Sequence, residues 1–177
     1  MECSGSIWIE RFPASTSLAD LAEPFRSKAQ RFVAALQSGG AIVTIGETFR
    51  PPERAYLMHY AWAIARMGID PGSVPAMAGV EIQWLHPDAT AAAEAMVAGY
   101  GLVFEPALAS RHTQGLAVDM EIAWQGDLAI VRGDGSPAIV ASLPRNGSAN
   151  ADLHAIGASY GVYKLISDPP HWSADGH

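Results

Sequence analysis

Between Gly115 and Trp124 the chain reads GLAVDMEIAW, with Leu116, Val118, Met120 and Ile122 alternating with Ala117, Asp119 and Glu121. A repeat of two residues sets the first group on one face of a β-strand and the second on the other. The segment is therefore a strand with one apolar face and one acidic face. The apolar face must be covered by another layer, and the rest of the sequence is read for what supplies it.

Upstream, SLADLAEPFRSKAQRFVAALQSGG predicts a first helix, with Ser17 and Asp20 as a capping box, Pro24 as a break or restart, and Gly39 and Gly40 as the stop. AIVTIGETF is short and rich in β-branched residues, fits a buried strand, and places Arg50 at a strand-to-helix junction before Pro51 and Pro52. A second helix is expected from Glu53 to Met67, with Tyr56, Tyr60, Ile64 and Met67 on one face and Gly68 at its end. Val80 to Leu85 looks strand-like, and Asp88 can cap a third helix through ATAAAEAMVAGYG.

Downstream, LAIVRGDGSPAIVASL predicts a hairpin turning at Asp134 and Gly135. Asn150 can cap a helix from Ala151 to about Tyr160, and VYKLI gives a last strand before SDPPHW. Helices and strands joined by short connections favour an α+β class, a mainly antiparallel sheet with helices packed against it. The length of 177 residues suits a single domain, 1–177, with an N-terminal helical region at 1–40 and a core at 41–172.

Apolar residues make up 49% and charged residues 16%, the balance of a chain able to bury a core. Eleven basic against 18 acidic residues give a net charge of -7, with no basic cluster along a helix, so nucleic acid is not an expected partner. Cys3 is the lone cysteine and has no internal disulfide partner. No apolar run is long enough to span a membrane, and the first 25 residues lack a basic start followed by an apolar stretch, so no secretory signal is expected.

Asp119 is disfavoured in a strand and costly to bury unless paired or bound to a metal; the other reading is that its face meets solvent. His112 precedes a turn at Gly115, where the missing Cβ permits a close approach, so its imidazole can fold back beside the strand carboxylate. Histidine nitrogen and aspartate oxygen are zinc donors, and a third ligand is then needed. DPPHW supplies candidates. Two prolines hold Asp168 and His171 three positions apart, on one side of a polyproline-type stretch, unless the prolines are a spacer and His171 a surface residue. Trp172 favours packing of the segment.

SRHTQGLAVD resembles the S-x-H-x-x-G-x-A-x-D signature, and DPPHW the acid-x-x-H-aromatic signature, of the zinc D-alanyl-D-alanine carboxypeptidases and phage endolysins of peptidase family M15, related in fold to hedgehog domains and lysostaphin-type peptidases. TFRPPER is similar to the arginine-containing element that precedes a helix in that family. The resemblance covers about Ile42 to Trp172. It implies a hedgehog-like fold, one zinc ion held by His112, Asp119 and His171, and Asp168 as the catalytic base. It further implies that Arg50 steadies the carbonyl oxygen or a substrate carboxylate, and that Ser110 supports the site. Many members carry glutamate where this chain has Asp168, and aspartate resembles the endolysin branch.

The expected activity is accordingly a zinc metallopeptidase cutting stem peptides of bacterial peptidoglycan, with an L-alanyl-D-glutamate endopeptidase favoured. The alternatives are a D,D-carboxypeptidase of the same family and a non-catalytic module in which zinc staples the fold. Such an enzyme would be made in the cytoplasm and reach the cell wall through a holin or a secretion machine. Among the remaining side chains, His59, His86, His154 and His177 are read as packing, capping or solvated. Glu121 is read as either orienting a ligand or solvated, and Trp84, Trp124 and Tyr163 as core in preference to lining a substrate groove.

Overall fold

The structure is a computed structural model that describes residues 1–177. Its elements, in chain order, are β1 (Glu2–Cys3), α1 (Phe25–Ser38), β2 (Ile42–Glu47), α2 (Pro52–Trp62), β3 (Ile82–Gln83), α3 (Ala89–Gly99), β4 (Ala117–Ala123), β5 (Leu128–Val131), β6 (Pro137–Val140), α4 (Ala151–Ser159), β7 (Tyr163–Lys164) and β8 (His171–Ser173). The class is α+β, as the sequence implies. Chain contacts define two compact units, one of residues 1–14 and 50–110, the other of residues 15–49 and 111–177. Neither boundary falls at residue 40: α1 belongs with the strands that follow residue 111.

In the first unit, Tyr56, Leu57, Ala61 and Ile64 of the second helix pack with Ala93, Met96 and Val97 of α3, closed by Trp8 and Trp84. α2 proceeds through a π turn, Ala63–Met67, before Gly68 ends it in the left-handed region. Met67, expected on the buried face, is exposed, because the wider turn rotates it away from the face that Tyr56 and Ile64 share. The strand-like segment at 80–85 shortens to β3, which pairs in parallel with β1, an element the sequence does not advertise.

In the second unit, a four-stranded antiparallel sheet has the order β2-β4-β8-β7. Val118, Met120 and Ile122 face inward as the alternation requires, against Phe25, Phe32 and Leu36 of α1 and Leu153 and Ile156 of α4. Asn150 caps α4 by accepting the Leu153 amide at 2.9 Å. Within α4, a Cβ on Gly157 would lie 2.7 Å from the Trp172 ring and 2.9 Å from a main-chain oxygen, so glycine is what lets β8 approach this closely.

The first helix breaks at Pro24, as the sequence allows: Leu18–Asp20 forms a single 3-10 turn, and α1 starts at Phe25. Asp20 takes the Ser15 hydroxyl at 2.6 Å and closes no box with Ser17. β2, expected to be a buried strand, is an edge strand in which Ile42, Thr44 and Gly46 share one exposed face while Val43, Ile45 and Glu47 are half-buried. The hairpin turns as expected at Asp134–Gly135, but β5 and β6 form a sheet of their own.

Candidate metal centre

Three of the expected site residues meet on one side of the four-stranded sheet. Asp119 sits mid-strand on β4, directly across from His171 of β8, with Glu47 of β2 on its other flank. The pairing slips between Ile45 and Glu47, a bulge that turns the end of β2 at the point where it passes Asp119. His112 comes from the turn before β4. There Gly115 has φ 68, and a Cβ would lie 2.9 Å from the Ala22 amide nitrogen, so only glycine fits the tight return. Gly115 and Leu116 close the turn by donating to the oxygens of His112 and Arg111.

The donor atoms form a nearly equilateral triangle. His112 Nε2 and His171 Nδ1 are 3.1 Å apart, and each lies 3.2 Å from Asp119 Oδ1. Both imidazoles are buried, and Asp119 retains 23% of its side-chain exposure. The second nitrogen of each ring faces a main-chain oxygen: His112 Nδ1 lies 3.1 Å from Thr48 O, and His171 Nε2 lies 3.2 Å from His177 O. Both main-chain oxygens can only accept, so those nitrogens carry the protons, and the inward ones present lone pairs toward a carboxylate oxygen. Three lone pairs cannot face one another without a positive charge between them.

Asp119 Oδ1 is also buried and has no hydrogen bond of acceptable geometry despite its two close neighbours. A tetrahedral ion with bonds of about 2.0–2.1 Å spaces its ligands roughly 3.3–3.4 Å apart, close to the separations here. An outward N–H pinned by a main-chain oxygen, as on both imidazoles, is the usual support of a metal-binding histidine. The triad His112, Asp119 and His171 could thus hold a metal ion. Without one, a proton takes the place of the cation. Burial pushes the His112 pKa down, but the adjoining Asp119 carboxylate, with Glu47 and the Thr48 carbonyl, raises it overall. Burial likewise pushes Asp119 up, and the two histidines more than reverse this, holding its carboxyl well below the usual range.

Asp168 is exposed and lies on the turn leading into β8. The expected polyproline geometry is replaced by a turn closed by the His171 amide on Asp168 O at 3.1 Å, because proline fixes φ and leaves ψ free to bend. His171 points inward while Asp168 faces solvent. Arg50 and Ser110 are half-buried residues of the first unit, each beside a point where the chain passes between units.

The residue that sequence reasoning missed is Lys164. Its buried ammonium donates to the main-chain oxygens of Leu165, Asp168 at 2.5 Å and His171 at 3.2 Å, and so clamps both ends of the turn that carries Asp168 and His171. The signal available was a single lysine in the otherwise apolar strand VYKLI. Thr48 and His177 act through main-chain oxygens, which leave no mark on residue type.

The other histidines are occupied elsewhere, in agreement with their reading as structural groups. His59 bonds Pro106 O at 2.8 Å, His86 meets the Ser4 hydroxyl at 2.8 Å, and His154 bonds Gly147 O at 2.9 Å. Trp84 and Trp124 are core, whereas Tyr163 is 41% exposed at the outer edge of the sheet and is not. Glu121 is exposed and orients neither histidine. No protein-family model matches the chain, and no curated protein matches it.

Proposed function

We propose that the chain is a zinc peptidase acting on the stem peptides of bacterial peptidoglycan, with L-alanyl-D-glutamate endopeptidase activity favoured over D,D-carboxypeptidase activity. The observation that carries this reading is the convergence of two tautomer-locked imidazoles on one buried carboxylate oxygen. Two nitrogens and one oxygen, with room for a water, form the donor set of catalytic zinc sites, and the resemblance of SRHTQGLAVD and DPPHW to a zinc peptidase family supplies the substrate class.

Zinc held there would polarise a scissile carbonyl and acidify a water. His112 and His171 keep their outer N–H groups on Thr48 O and His177 O, so neither ring is available to move protons. Asp119 is committed to the cluster. The resemblance gives the base role to Asp168, whose oxygens would accept the proton from the attacking water and return it to the leaving amine nitrogen. Its exposure leaves it reachable, and Lys164 fixes the turn on which it rides. The roles of Arg50 and Ser110 toward substrate rest on the resemblance alone.

The test is metal content and muropeptide release for the parent and for Asp168→Asn. The expected result is equal zinc in both proteins and release from the parent only, with mass spectrometry naming the bond cut. A zinc-loaded parent that releases nothing from peptidoglycan overturns the reading, and a fold that collapses on zinc removal would then assign the ion a purely structural role.

A further inference from the structure

Beside the triad, the second unit carries a groove of about 450 Å³. Its floor is the solvent face of β2 and β4, where Ile42 lies across from Ala123 and Thr44 across from Glu121. One wall is the 146–148 segment and Pro169–Pro170, the two residues that precede His171. The groove therefore runs along the strand face that also carries Asp119.

This wall is built, not loose. Asn146 Oδ1 accepts the Ser148 hydroxyl at 2.8 Å and the Ala149 amide at 3.0 Å, and the Gly147 amide bonds Ile122 O at 2.8 Å. At the other end, the Met120 amide bonds Pro170 O at 2.8 Å. Both parts of the wall are tied to β4, so the groove keeps its width before anything enters, which lowers the ordering cost of binding.

Glu121 is the only charged side chain lining the groove, and it has no ion-pair or hydrogen-bond partner within the chain. It follows Asp119 by two residues on the same strand face, a spacing of roughly 6.6 Å along the strand. Resting on the peptidase reading above, we propose that this groove is the subsite for an extended peptide whose side-chain ammonium, on the second residue beyond the bond cut, is held by the Glu121 carboxylate. The favoured stem peptides are those whose diamino acid presents a cationic side chain. Ile42 and Pro170 supply apolar contact for its methylene stem, and Thr44 borders the carboxylate.

The probes are the tripeptide L-Ala-γ-D-Glu-L-Lys and its analogue with norleucine for lysine, which keeps the apolar stem and loses the ammonium. Calorimetric binding is measured to zinc-loaded Asp168→Asn protein, with and without Glu121→Gln, and cleavage is followed with the parent. The lysine peptide is expected to bind about tenfold tighter, a preference erased by Glu121→Gln. Equal binding of the two peptides while Glu121 is present, a comparison that needs no change at that position, overturns the proposal. So does a lysine preference that survives Glu121→Gln. A parent that cleaves neither peptide but retains the binding preference sinks the peptidase reading and leaves the subsite standing; cleavage of both without preference does the reverse.

Discussion

The histidines of the two units are built to opposite plans. In the first unit, His59 turns one nitrogen to Pro106 O and, at 3.7 Å, to Glu105, His86 meets the Ser4 hydroxyl, and neither faces another imidazole. In the second, His112 and His171 form a T-shaped pair with ring centroids 4.9 Å apart, outer nitrogens on main-chain oxygens and inner nitrogens on Asp119. A lone histidine with one satisfied nitrogen gains nothing from a cation. A pair with both outer nitrogens satisfied has its remaining lone pairs aimed at one point, and its role is decided by the nitrogen that lacks a protein donor.

The strongest way to break this contrast is to remove the shared oxygen. Asp119→Ala should weaken zinc binding by more than about a hundredfold, the upper range for losing only a supporting partner of a ligand. His59→Ala and His86→Ala should leave one zinc per chain at parental affinity. Titration with zinc against a competing chelator checks all three, and tight binding by Asp119→Ala would place the ion elsewhere.

Metal removal should separate the units by their stability. At a hundredfold excess of zinc over its dissociation constant, binding adds about 2.7 kcal/mol to the folded state. For a chain of this size that is a shift in Tm of roughly 5 to 10 °C. Thermal melts with and without chelator should show it for the parent and for the first-unit histidine variants alike, and not for Asp119→Ala.

The contrast was partly legible in the sequence. Asp119 was conspicuous because an acid interrupts the apolar bookends of a period-two strand, and Gly115 because a turn beside a histidine invites a close return. The inward face of β4 and the Asn150 cap followed from alternation and side-chain chemistry. β8 did not: three residues, HWS, are too few to show a period, and the strand exists because β4 and β7 flank it. The main-chain oxygens of Thr48 and His177 have no residue signature. Nor does the bend at Asp168, since proline restricts φ and tertiary pairing chooses ψ.

Lys164 sharpens the comparison, because no first-unit histidine sits on a clamped turn of this kind. Lys164→Met removes three charge-assisted bonds to main-chain oxygens while keeping the bulk of the side chain. With His171 less firmly held, zinc affinity should fall about 10- to 100-fold, the range for a supporting partner. Substitution with cobalt gives a second readout, as the visible spectrum of the ion reports its ligand geometry. An unchanged spectrum and affinity would show that strand pairing alone positions His171.

The smallest effect concerns His154, a second-unit histidine outside the cluster, set edge-on to Trp172 with centroids 5.5 Å apart. Burial pushes its pKa down, the bond to Gly147 O partly restores it, and the charge of Lys164 lowers it again, leaving it below the ordinary histidine value of 6.5. Between that folded value and 6.5 the unfolded chain binds more protons, so the neutral ring's contribution is present above pH 6.5 and is lost as the pH falls through the window. Urea unfolding of the metal-free parent and of His154→Gln from pH 7.5 downward isolates it, since the variant lacks the titrating ring. The stability difference between the two should move in favour of His154→Gln on acidification. A difference independent of pH would mean that the ring is neutral or charged alike in both states, and that its burial against Trp172 does not disfavour the imidazolium.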